Sequence, residues 1–125
     1  MSAPNATELL ATARSLLLGE LLPALPASLA YDCRMIASAM AIAAREIERG
    51  DRAADVECEA LAQVLEPRGL AGLTRDDAMA LLAQFIRQGI FDQPGGEQAR
   101  LLDALADITR ARLGISNPKV LNDAR

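Results

Sequence analysis

Residues 34–50, "RMIASAMAIAAREIERG", decide how this chain is read: Met35 to Ala44 is a run of ten uncharged residues, five of them alanine, bracketed by Arg34 and Arg45. A membrane-crossing helix needs about 20 consecutive apolar residues, so this run is too short to span. An apolar run covering nearly every face of a helix is instead expected at the centre of a bundle, walled by other helices. Its alanines and Ser38 would let those neighbours approach closely, so that dense packing replaces bulky side chains. At 3.6 residues per turn Arg34, Ser38, Ala41, Arg45 and Glu48 share one stripe, with Ile36, Met40, Ala43 and Ile47 opposite. Arg34 and Arg45 lie three turns apart, roughly 16 Å along the axis, too far to hold one small anion together.

Outward from this stretch, stop and start signals predict five helices. Asn5 with Glu8 three residues on has the spacing of an N-cap box and opens a helix over 6–22, stopped by Pro23 and Pro26. The second helix covers 28–49, ended by Gly50 with Arg45 and Arg49 at its negative pole. Asp51 caps a third over 52–66, before Pro67 and Gly69. Thr74, Asp76 and Asp77 open a fourth over 75–89, whose Ala78, Leu81, Leu82, Phe85 and Ile86 share a face. The turn Asp92-Gln93-Pro94-Gly95-Gly96 separates it from a fifth over 97–113, with Leu101, Leu102, Leu105, Ile108 and Leu113 on one side, closed by Gly114. The remaining tail is 114–125, where Asn117-Pro118 marks a turn and Val120-Leu121 would pin the chain back. No strand pattern appears. The expected fold class is therefore all-α, one domain over 1–125, a four- to five-helix bundle with antiparallel neighbours and short loops.

Composition removes several functions. The 125 residues include 13 basic and 17 acidic side chains, a net charge of −4, so no phosphate-tracking surface is expected and nucleic acid is not a partner. Histidine is absent, which leaves no Ser-His-Asp triad, no Cys-His pair and no imidazole shuttle. Cys33 and Cys58 alone cannot complete a four-thiolate zinc site and read as reduced structural thiols, so no metal or cofactor is implied. The leucine-rich start is interrupted by Glu20 and preceded by Glu8, unlike a secretory signal, and the expected compartment is the cytoplasm.

Few polar residues break the pattern. Leu9, Leu10, Ala13, Leu16, Leu17 and Leu21 form the apolar arc of the first helix, and a regular α-helix puts Glu20 in its middle. A carboxylate on a core face is paired, protonated, or exposed where the helix leaves the bundle. If the first two helices fold back across "PALP", Glu20 comes near Tyr31 and Arg34, and a Glu20–Arg34 ion pair is expected. Two roles stay open for it: a pair that fixes helix register, or a ligand-binding or catalytic cluster of Glu20, Tyr31, Arg34 and Ser38. Arg112 reads as a cation on the last carbonyls of its helix, with a phosphate contact shared with Lys119 as the alternative.

Two segments carry a family resemblance: "ELLPALPASLAYDCRMIASAMAIAAREIERG" (20–50) and "RLGISNPKVL" (112–121). Together they resemble a bacterial family of small helical proteins defined only as a domain of unknown function. Leu22-Pro23-Ala24-Leu25-Pro26, Arg34, Glu46 with Gly50, and Asn117-Pro118 carry the likeness. Where the family favours an aromatic-histidine pair and an asparagine, this chain has Tyr31-Asp32 and Ser38, so the resemblance brings no histidine chemistry. Its members are typically encoded beside aminoglycoside-phosphotransferase-like kinases and acyl-CoA dehydrogenases. The resemblance thus implies an accessory or interaction protein, non-catalytic itself, associated with a kinase-like or acyl-CoA-handling enzyme. Self-association is a further expectation, from the leucines of the first and fifth helices; a small-molecule-binding protein or enzyme built on the Glu20 cluster is the alternative.

Overall fold

The computed structural model describes residues 3–123, and among them every regular element is helical. In order they are α1 (Ala6–Leu16), a π-turn (Leu17–Leu21), two short 3-10 turns, α2 (Ala30–Leu65), a third 3-10 turn (Glu66–Arg68), α3 (Arg75–Arg87), α4 (Gly96–Ser116) and α5 (Pro118–Asp123). The all-α expectation is met. Two caps form as their sequences dictate: Asn5 Oδ1 accepts from the Glu8 amide at 2.9 Å, and Thr74 Oγ1 from the Asp77 amide at 3.2 Å. No helix is long and apolar enough to cross a membrane among the described residues.

One expected break is missing. The helices predicted over 28–49 and 52–66 are a single helix, α2, of 36 residues that passes straight through Gly50. Glycine inside a helix costs roughly 1 kcal/mol relative to alanine, too little to end one when no proline comes next and the flanking residues are good helix formers. Gly69 and Gly89, by contrast, adopt positive φ of 78° and close their helices. The Leu70 amide then bonds Leu65 O and the Ile90 amide Phe85 O, the paired bonds of a left-handed C-terminal cap. Gly114 does not end its helix either, and α4 runs on to Ser116, where Pro118 stops it.

The chain divides into two compact units. The first contains residues 3–50 with Ile115–Asn117 and is built on a helical hairpin. Arg14 Nε donates to Ala37 O at 3.1 Å and the Cys33 thiol lies 3.8 Å from Leu17 O. As residue numbers rise along α1 they fall along α2, so the two run antiparallel. Arg45 Nε anchors Ile115 O at 2.6 Å. Only Cys33 and Ala37 are buried in this unit, which corrects the reading of residues 34–50 as the most buried helix.

The second unit contains Asp51–Gly114 with residues 118–123 and holds a closed core. Ala60, Leu61, Val64 and Leu65 of α2 pack with Ala78 and Leu82 of α3, Phe91, and Leu101, Ala104 and Ile108 of α4. Leu70, Met79, Phe85 and Ile90 ring it. Arg68 lies over the Phe85 and Phe91 rings, 5.8 and 5.6 Å from their centroids, and pairs with Glu97 at 2.6 Å. Burying each large apolar side chain contributes about 1.5–3 kcal/mol, so this unit carries most of the apolar stabilisation.

Candidate functional site

Two places gather unusual side chains, one in each unit. The first is the hairpin. Glu20, Tyr31, Arg34 and Ser38 all lie on its surface, Tyr31 with 70% of its area exposed. The expected Glu20–Arg34 ion pair does not form among the described residues. The part of the leucine arc that Glu20 continues, Leu9, Ala13 and Leu16, is itself exposed, so no core face buries the carboxylate, which sits in the π-turn.

What the hairpin offers instead is an apolar face. On the side of α1 that carries Arg14, bonded to Ala37 O, Thr7 and Leu10 are half-buried, whereas Leu9, Ala13 and Leu16, spaced i, i+4, i+7, are exposed. On α2, Cys33 and Ala37 are buried and Met40 and Ala44, in line with them, half-buried, whereas Met35, Ile36, Ala39, Ile42, Ala43 and Ile47 are exposed. Looking down each helix from its N-terminus, Leu9–Ala13–Leu16 and Ile36–Ala43–Ile47 are both rotated counter-clockwise from the contact line. In an antiparallel pair that places them on one side. Arg34, Ser38 and Arg45 are rotated the other way, toward the Ile115 carbonyl that Arg45 holds. Leu9, Leu16, Ile36 and Ile47 are each 50–56% exposed. Exposed large aliphatic side chains gathered on one side of a hairpin mark an interaction site more often than a monomer's free surface.

The second place is a carboxylate. Glu57 of α2 is 5% exposed, the only buried charged residue among those described. Its Oε1 accepts from Arg112 Nε of α4 at 2.8 Å, and its Oε2 lies 3.5 Å from Arg75 Nη1 of α3. Three helices are tied through one side chain. Arg112 therefore does not cap its own helix, as its position near the end of α4 suggested; it reaches across to Glu57. Sequence reasoning passed over Glu57, although the signal was present: it stands in phase with Ala60, Leu61 and Val64, the buried arc of α2. With two cations on it and core beneath, Glu57 has the bonding of a structural pair that fixes helix register.

The cysteines are both free, Cys33 buried in the hairpin as a small apolar side chain and Cys58 exposed. No group of three or more acidic or thiol side chains is placed to hold a metal ion among the described residues.

Comparison with known proteins returns one positive finding. No curated protein and no solved structure matches the chain at a significant level. The sequence model of the family described as "Domain of unknown function (DUF6285)" matches residues 23–120. That span runs from the turn of the hairpin through both units to α5. The chain therefore belongs to the DUF6285 family, an uncharacterised domain family.

Proposed function

We propose that this protein is a non-catalytic accessory protein of the cytoplasm, whose N-terminal hairpin docks a helix of a partner enzyme against its apolar face. The observation that carries the reading is the one-sided exposure of Leu9, Leu16, Ile36 and Ile47 in a unit with only two buried residues. Each half-exposed leucine or isoleucine that a partner covers adds about 1 kcal/mol.

Charge supports a different protein over a second copy. Asp32 and Glu46 stand within the exposed arc of α2. Pairing two copies antiparallel about Ala39 sets Asp32 against Glu46, and pairing them parallel sets each against itself. Like charges meet in both, a cost of specificity that a foreign helix with an apolar ridge and basic flanks avoids. The enzyme class comes from the family resemblance: a phosphotransferase-like kinase or an acyl-CoA dehydrogenase.

The test mixes the purified chain with each of those two enzymes from its own source and reads mass by light scattering after size exclusion. The expected result is a stoichiometric complex with one of them, lost in Ile36→Glu and Ile47→Glu and kept in Leu102→Glu, on the surface of α4. Absence of a complex with both enzymes overturns the proposal, and so does self-association that those two substitutions abolish.

A second reading rests on Arg34, whose side chain has no ion pair or hydrogen bond among the described residues and shares a stripe with Ser38 and Arg45. It assigns Glu20, Tyr31, Arg34 and Ser38 to a surface site for a small polar ligand. A thermal-shift screen with acyl-CoAs, nucleotides and phosphosugars tests it: a shift of several degrees that Arg34→Gln removes favours it, and flat curves discard it.

A further inference from the structure

Apart from the hairpin, the second unit carries a cleft where α2 ends and α3 begins. Its floor is Leu61 and Leu65, the largest fully buried side chains described, and Ala78. Its walls are Ala62, Leu70, Ala71 and Leu73. The cleft is a half-open hollow of about 50 Å³. It stays open because alanines and Gly72 stand where larger side chains would fill it; Gly72 has φ +76° and a Cβ there would meet nothing within 4 Å.

One cation stands at this opening. Arg75 lines the cleft, and its partner Glu57 is already neutralised by Arg112 through a bond of 2.8 Å, against 3.5 Å for Arg75. The other carboxylate beside Arg75, Asp76, is 4.0 Å away and almost wholly in water, where pairing is weak. Two guanidinium groups thus share one buried carboxylate, which leaves positive charge and unused donors at the mouth of an apolar hollow. Glu66, exposed on the rim, disfavours an anion on its own side and so directs a negative group toward Arg75.

We propose that this cleft binds a short aliphatic monocarboxylate, its carboxylate on the Arg75 guanidinium and its chain over Leu61, Leu65 and Ala78. A bare phosphate fits less well, because there is one available cation and the floor offers it no donors. The site is independent of the docking face, since no residue of one belongs to the other.

Amide chemical shifts of the full-length chain, titrated with acetate, butyrate and hexanoate, test the proposal. Expected are shifts confined to residues 58–78, with affinity rising about fourfold for each added methylene that the cleft buries. Arg75→Gln weakens hexanoate at least tenfold, the loss of a charge-assisted contact, while Glu57 keeps Arg112 and the fold. Ala62→Leu fills the cleft, leaves Arg75 in place and also abolishes binding, so the test survives a folding defect in the first variant. Acetate as tight as hexanoate means a bare anion on an arginine and overturns the proposal. Absence of shifts, or hexanoate binding unchanged in either variant, overturns it as well.

Discussion

The two units of this chain solve the burial problem in opposite ways. Asp51–Gly114 turns Leu82, Phe91, Leu101 and Ile108 inward around Leu61 and Leu65. The hairpin of α1 and the first half of α2 is as rich in leucine, isoleucine and alanine, yet it buries only Cys33 and Ala37 and leaves Leu9, Leu16, Ile36 and Ile47 half in water. Two helices can cover only one side of each other, whereas three helices and a connecting turn can enclose a core. Apolar composition therefore means a closed core in one region and an exposed face in the other.

The largest effect that separates them should come from the charges. Replacing Arg75 and Arg112 together by alanine leaves Glu57 buried and unpaired, and should cost about 3–5 kcal/mol in urea unfolding. Arg34→Ala in the hairpin should stay within about 0.5 kcal/mol. Equal losses would erase the distinction between a buried network and a surface arginine. Next in size are the apolar truncations: Leu61→Ala should cost about 2–4 kcal/mol, Ile36→Ala less than about 1 kcal/mol in the chain alone. A large loss at Ile36 would mean that its face is already covered.

Gly50 sharpens the comparison at the midpoint of α2. Because the helix is continuous there, Gly50→Ala should stabilise by about 0.5–1 kcal/mol. The new methyl meets only the Glu46 carboxylate at 3.0 Å, the end of a flexible side chain. Destabilisation would instead place a helix end at Gly50. The smallest effect belongs to Glu20→Gln, expected within about 0.5 kcal/mol by the same unfolding measurement, since the side chain is exposed.

These residues also mark how much the sequence discloses. Asn5, Thr74, Gly69 and Gly89 act through local chemistry, so the helix starts and two of the stops can be read from composition alone. Gly50 and Gly114 misled because glycine only weakens a helix, and tertiary packing decides whether the break occurs. Glu20 and Glu57 present the same signal, a carboxylate in phase with apolar neighbours. The first falls on a stripe of α1 that a two-helix hairpin leaves uncovered, while the second falls on the side of α2 that the closed core covers. Arg112 was legible as an anomaly, but its partner lies 55 positions away, beyond any local rule.

Amide hydrogen exchange, read for the chain alone and for its mixture with the partner enzyme, tests the central claim most directly. Alone, residues 6–50 should exchange through local opening well before residues 57–108, which should open only with global unfolding. With the enzyme bound, amides around Leu9–Leu16 and Ile36–Ile47 should slow at least tenfold while the core amides stay unchanged. Hairpin amides as protected as the core in the isolated chain, or slowing confined to the second unit, would contradict it.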